Sequence, residues 1–248
     1  MMLRRLFLSS FVLLLLAACS RSPAPAPTPA SSNPAVESAG TAAAAAPAAA
    51  ANETPAPVTE LSEGVDFEVI PRGKPFAAAA GKIEVVEFFN YICPACNAFD
   101  PLLQRWKANL PADVQLVYVP ADFRPDFVPY AAAYYAAESF GLVEKTHEAV
   151  YKAIHEQHRI PAEGDAPDDA KIAAFYANYG VGAELFLGAM RSPAVNAKLA
   201  QARAFAEQSR IPSTPTLVID GKYRVKASAW EEKLRIADYL IAKERAAR

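Results

Sequence analysis

The fold of this chain is decided by the stretch IEVVEFFNYICPAC, residues 83–96. Its first half, residues 83–89, is a nearly continuous apolar, β-branched and aromatic run, which predicts a strand buried on both faces. The cysteine motif at 93–96 has proline in second place, and proline favours the first position of a helix. We therefore predict a helix from this motif to about Ala108.

The segments that follow complete an α/β order. Val114–Val119 predicts a second strand, so the domain opens as strand, helix, strand. Between about residues 129 and 209 the apolar period becomes that of helices, and its breaks predict about five short ones. Thr216–Ile219 and Tyr223–Val225 then predict a hairpin, because the Asp-Gly pair between them suits a tight two-residue turn.

Capping residues mark two helix starts. Ser192 precedes Pro193, which predicts a serine cap on the last helix of the helical block. Ser228 and Glu231 have the spacing of a capping box, which predicts that Ser228 caps the final helix. The predicted order is βαβ, a helical block, then ββα.

Composition and charge narrow the possible functions. Among its 248 residues the chain has 25 basic and 27 acidic ones, so its formal net charge is −2. It lacks the basic footprint of proteins that bind nucleic acid. Its three cysteines are too few for a fold held by disulfides, so each needs its own explanation.

Residues 1–18 have the layout of an export signal. Two arginines precede an apolar run from Leu6 to Ala18, which is shorter than the ~20 residues that span a bilayer. Cys19 stands at the expected cleavage site, a pattern typical of bacterial lipoproteins, in which this cysteine is lipidated. An ordinary secretory peptide with an incidental Cys19 is the alternative. Ser20 follows, where an aspartate would indicate the inner membrane, so we favour the outer membrane.

Residues 19–57 predict a lipidated cysteine followed by a disordered tether. From Ser20 to Pro57, fifteen residues are alanine and eight are proline, a composition that cannot bury a core. Residues 58–248 are enough for one domain, with the helical block inserted at about 129–209.

The pair Cys93 and Cys96 predicts redox chemistry. It follows a strand and opens a helix, where the helix dipole and free N–H groups stabilise a thiolate. We expect Cys93 to be the reacting sulfur and Cys96 the more buried resolving thiol, with Pro94 and Ala95 between them. An inert disulfide and half of a zinc site are the alternatives. The first would close almost no loop, and the second lacks another cysteine pair.

Two further residues are unusual for their positions. Glu87 interrupts the apolar strand, and burial raises the pKa of a carboxyl group. It is either a proton relay or charge tuner for Cys96, or a residue at the strand end that pairs with a distant lysine or arginine. Pro215 follows Thr214 at the start of a strand, where a cis or an ordinary trans bond is tolerated.

In this order the motifs resemble the DsbA family of periplasmic thiol:disulfide oxidoreductases, over roughly residues 67–242. The resemblance implies a thioredoxin-like fold with an inserted helical domain. In that family the first cysteine is nucleophilic, an acid is buried beneath the pair, and a cis-proline loop binds peptide. The first cysteine corresponds to Cys93 and the second to Cys96. The buried acid corresponds to Glu87, and the cis-proline loop to Thr214 and Pro215.

The resemblance also implies the partners. The substrates would be cysteine-containing exported proteins, and a DsbB-like, quinone-linked membrane protein would reoxidise the pair, with no organic cofactor and no metal. Ala95 departs from the family, whose best-known members have Cys-Pro-His-Cys, with a histidine that helps to hold the thiolate. We therefore expect a reduction potential below the ~−120 mV of DsbA and above the ~−270 mV of thioredoxin.

Other functions are alternatives to a lipid-anchored periplasmic oxidase. One is a reductase or isomerase on the same fold. An isomerase usually needs a dimerisation module, which we do not find in the sequence, and we expect a monomer. Another is a non-enzymatic envelope lipoprotein that carries metal on its thiols. His147, His155 and His158 fall near one helix face, but their glutamate- and lysine-rich surroundings predict a solvated face instead of a metal site.

Overall fold

A computed structural model describes residues 61–77 and 81–248. The predicted signal segment, Cys19 and the tether lie outside the described residues. The strands are β1 Phe67–Val69, β2 Ile83–Phe89, β3 Val114–Pro120, β4 Thr216–Ile219 and β5 Tyr223–Val225. The helices are α1 Pro94–Lys107, α2 Val128–Ser139, α3 Val143–His155, α4 Asp169–Ala177, α5 Ala183–Met190, α6 Pro193–Gln208 and α7 Trp230–Ala246.

Strand β2 has all seven residues buried, as its apolar run predicts. It pairs in parallel with β3 and antiparallel with β4, within the five-stranded order β1-β5-β4-β2-β3. The parallel pair is joined through α1, as strand, helix, strand. This connection places the start of α1 at the carboxyl end of β2, which is the end of the sheet where the cysteine motif lies.

Helices cover the sheet and form a block of their own. Helix α7 packs against β2, β4, β5 and α1, so the last helix supports the cysteine-bearing helix. The five helices α2 to α6 lie between β3 and β4 in the chain, and this helical block touches the rest through α2 and α6 on β3 and through α3 on α1.

The local turn and cap predictions met different outcomes. Ser192 caps α6 by accepting from the Val195 N–H, as predicted. The Asp-Gly turn has both φ angles positive, as predicted, but three residues separate Ile219 from its partner Tyr223, not two. The predicted capping box is wrong, because α7 begins at Trp230 with Ala229 as its N-cap and no side-chain cap. Its first turn carries two glutamates, which suit the positive end of the helix dipole.

Candidate active site

Cys93 occupies the N-cap of α1, at the end of the link that follows β2. Its backbone is extended, with φ −73° and ψ 114°, and Pro94 begins the helix as the sequence predicts. The Cys93 Sγ accepts a hydrogen bond from the Cys96 backbone N–H at 3.4 Å. The helix start thus directs N–H groups at this sulfur, where they stabilise negative charge.

The Cys93 thiol is acidic. A hydrogen bond from the Cys96 thiol, supported by Thr214 and by the backbone at Cys96 and Ala95, lowers the pKa of Cys93 to about 6, although burial opposes this. Its Sγ also lies 3.7 Å from the Thr214 carbonyl oxygen, to which the protonated thiol donates. Cys93 is 7% exposed, so the thiolate that forms near neutral pH is still reachable from outside.

Cys96 lies one turn inside α1 and has no exposed surface (0%). Burial, followed by the hydrogen bond to Cys93, raises the pKa of Cys96 well above its ordinary value. Both cysteines are free in this structure. The two sulfurs therefore differ in access and in acidity, and Cys93 is the one that a substrate sulfur can reach.

Glu87 is the fifth of the seven residues of β2, so it is not at a strand end, and that part of the second interpretation is wrong. It is 1% exposed, and among the described residues neither carboxyl oxygen has a hydrogen-bond partner. Burial, and then the nearby charge of Asp100, raise the pKa of Glu87 well above its ordinary value. The buried amine of Lys233 on α7 opposes this rise and lies in the same region as Cys96.

The Thr214–Pro215 peptide bond is cis, which settles the two possibilities left by the sequence. Strand β4 begins directly after it and runs antiparallel to β2, with Thr216 opposite Phe88. This register brings the loop to the edge of the sheet where α1 begins, and there the Thr214 carbonyl meets Cys93.

Known proteins resemble this chain in sequence and in fold. A family model for the DSBA-like thioredoxin domain matches residues 84–236, more than half of the chain. The chain belongs to this family. The thiol:disulfide interchange protein DsbA of Pseudomonas aeruginosa is 41% identical over 170 residues, which are 67% of this chain and 78% of that protein. DsbA of Burkholderia cepacia is 35% identical over 163 residues, 66% of this chain and 74% of the relative.

Solved structures agree with the family. The crystal structure of oxidoreductase DsbA from Xylella fastidiosa is 43% identical, has a TM-score of 0.71, and covers 75% of this chain and 98% of its own. That of Pseudomonas aeruginosa DsbA is 36% identical, with a TM-score of 0.65, and covers 75% of this chain and 96% of its own. The predicted thioredoxin-like fold and thiol:disulfide oxidoreductase class are thereby confirmed.

Asn90 is a residue of this DsbA-family site that sequence reasoning missed. It is fully buried, and its side-chain N–H groups donate to the carbonyls of Ala121 at 2.7 Å and Phe127 at 3.2 Å. Its Oδ1 accepts from the Ile92 N–H, and its own carbonyl accepts from the Cys93 N–H, both at 3.1 Å. An amide directly after a buried strand and just before the cysteine motif was the available signal.

The histidine prediction needs correction. His147 is buried against aromatic rings, and His155 is half-buried with a hydrogen bond to Tyr91; only His158 lies exposed. The glutamates and lysines of α3 occupy its other face, so the helix presents its histidines to the link before Cys93. Within residues 61–77 and 81–248 no group of three or more metal-ligating side chains is placed to hold an ion.

No helix in the described part of the chain combines the length and the apolar character needed to cross a bilayer.

Proposed function

We propose that this protein donates the Cys93–Cys96 disulfide to cysteine-containing exported proteins. The observation that carries the proposal is the contrast between the two sulfurs. Cys93 is reachable and has a pKa lowered to about 6, while Cys96 is buried and has a raised pKa. A stabilised Cys93 thiolate favours the reduced pair, and this makes the oxidised pair a disulfide donor.

The reaction proceeds in two exchanges. A substrate thiolate attacks the Cys93 Sγ, a new S–S bond forms, and the electron pair of the broken bond goes to Cys96. A second substrate thiolate then attacks the substrate sulfur of this mixed disulfide and releases Cys93 as a thiolate. The substrate loses two electrons and gains a disulfide, and the pair Cys93 and Cys96 ends reduced.

Glu87 supplies the proton that the buried sulfur needs. When Cys96 leaves as a thiolate, its raised pKa drives it to take up a proton. Glu87 interacts electrostatically with Cys96 and, because of its own raised pKa, keeps its proton to higher pH than an ordinary carboxyl group. The loop at Thr214 and Pro215 binds the substrate backbone beside Cys93.

The sequence of the N-terminal residues supports a location in the bacterial envelope. In this proposal, residues 1–18 direct export, Cys19 carries lipid, and residues 20–57 hold the 58–248 domain away from the membrane, more in keeping with the outer than the inner membrane. The periplasmic domain acts as a monomer, and a DsbB-like quinone-linked membrane protein reoxidises its dithiol.

Trapping variants test the role of each sulfur. The full mature protein with Cys96→Ala keeps the Cys93 thiolate, which attacks a disulfide-containing polypeptide and forms a mixed disulfide that no second thiol resolves. We expect this complex on non-reducing gels, and none with Cys93→Ala. Mixed disulfides on Cys96 alone, or oxidation of a reduced polypeptide by the Cys93→Ala protein, would overturn the proposal.

A further inference from the structure

Two histidines of α3 hold Tyr91, which lies two positions before Cys93. The Nε2 of His155 is 2.8 Å from the Tyr91 carbonyl oxygen, and the Nδ1 of His147 is 3.1 Å from the Tyr91 hydroxyl. Tyr91 and His147 are buried, and His155 is half-buried at the last position of α3. The helical block therefore binds both the backbone and the side chain of Tyr91. This residue lies in the active-site link, residues 90–92, which joins β2 to Cys93.

Chemistry fixes the direction of the hydrogen bond from His155. A carbonyl oxygen only accepts, so His155 donates from Nε2. The second hydrogen bond joins the Nδ1 of His147 and the Tyr91 hydroxyl, while the Nε2 of His147 lies buried 3.5 Å from Asp100 Oδ1 without a hydrogen-bond partner among the described residues.

The link between Tyr91 and Cys93 has little freedom to absorb a movement. Asn90 binds the Ile92 N–H with its side chain and the Cys93 N–H with its carbonyl. A displaced Tyr91 therefore moves the Cys93 Sγ relative to the Cys96 N–H and the Thr214 carbonyl. Of these two contacts, the Cys96 N–H at 3.4 Å is the one that stabilises the thiolate, so a displacement that weakens it destabilises the thiolate form of Cys93.

We propose that His155, assisted by His147, is a positioning residue that ties the active-site link to the helical block and so holds the Cys93 Sγ against the donors at the start of α1. The inference rests on the proposed function, in which Cys93 is the reacting sulfur. It assigns part of the control of that sulfur to a helix that contributes no reacting atom.

The test compares variants of the full mature protein in its reduced state. His155→Ala removes the donor, His155→Gln keeps a side-chain N–H donor, and Tyr91→Phe removes only the hydroxyl that meets His147. Lys152→Ala, on the exposed face of the same helix, is the matched control. Two quantities are measured, the pH titration of the Cys93 thiolate by ultraviolet absorbance and the redox equilibrium with glutathione.

We expect His155→Ala to move the thiolate titration upward by about half a pH unit, a roughly threefold loss of thiolate stabilisation, which matches the worth of one hydrogen bond. The equilibrium with glutathione should shift by the same factor, about 14 mV towards a less oxidising pair. His155→Gln should restore most of the loss, Tyr91→Phe should shift both quantities in the same direction, and Lys152→Ala should change neither.

An unchanged titration and equilibrium in His155→Ala, with only a lower stability to unfolding, would overturn the inference and leave a purely structural contact. Equal shifts in His155→Ala and His155→Gln would also overturn it. If the alanine variant does not fold, an unchanged titration and equilibrium in Tyr91→Phe would overturn the inference in its place. Failure of the proposed function looks different, because the wild-type Cys93 would then titrate like an ordinary thiol.

Discussion

Replacing Glu87 with methionine measures how much the free energy of unfolding is lowered by an ionisable group buried inside the sheet. Methionine has a similar length and is apolar, whereas Glu87→Gln, the matched control, keeps a polar amide but never ionises. The wild-type carboxyl has its pKa raised by burial. Above the ordinary pKa of about 4.3 the unfolded chain ionises more readily than the folded one, so this group destabilises the native state as pH rises.

The magnitude follows from the surroundings of Glu87. Neither of its oxygens has a hydrogen-bond partner among the described residues, and burying an unpartnered polar group costs about 1–3 kcal/mol. Lys233 offsets part of this cost. We therefore expect Glu87→Met to stabilise the reduced protein by about 2 kcal/mol at pH 7. In a domain of this size, that is a rise of roughly 4–8 °C in Tm.

Urea unfolding of the reduced mature protein at pH 7 and near pH 4 is the assay. Glu87→Met should gain most at pH 7 and less near pH 4, where the wild-type carboxyl is protonated in the folded state and mostly protonated in the unfolded state. Glu87→Gln should gain less than methionine at pH 7 and close to nothing near pH 4. A loss of stability at pH 7 in both variants would refute the reasoning, because it would mean that Glu87 and Lys233 form a stabilising buried ion pair.

Three further predictions concern the cysteine pair and its link. The Cys93 thiolate should titrate with a midpoint near pH 6 in the reduced protein. Cys96→Ala should raise that midpoint, because the Cys96 thiol gives the largest stabilising hydrogen bond. Ultraviolet absorbance measured against pH gives both midpoints. Ala95→His should make the pair more oxidising by at least tenfold against glutathione, about 30 mV; an unchanged equilibrium would show that the histidine does not act on this scaffold. Asn90→Ala removes three side-chain hydrogen bonds and should lower the free energy of unfolding in urea by about 3 kcal/mol. A loss below about 1 kcal/mol would show that Asn90 does not hold the active-site link in place.

The parts of the fold that were predictable carry strong local patterns. Strand β2 has an apolar run with no polar interruption except its glutamates, and the proline after Cys93 marks the first residue of α1. Ser192 marks the start of α6 in the same way. These patterns depend only on residues that are neighbours in the sequence, so they can be recognised without knowledge of the tertiary structure.

The parts that were missed depend on distant contacts. Strand β1 has three residues, too few for a periodic pattern, and exists because it pairs with β5. The capping box at Ser228 failed because the chain enters α7 one residue later, with Ala229 at the N-cap. His147 stands among charged neighbours in sequence, but the face of α3 that it shares with Tyr151 packs on the active-site link.

The most direct test of the proposed oxidase activity is the reduction potential of the full mature protein, measured by equilibration with glutathione redox buffers. We expect a value below the ~−120 mV of DsbA with its motif histidine, but clearly above the ~−270 mV of thioredoxin. Such a value means that the pair Cys93 and Cys96 gives its disulfide away. A value at or below that of thioredoxin would contradict this activity and indicate a reductase that depends on an electron donor.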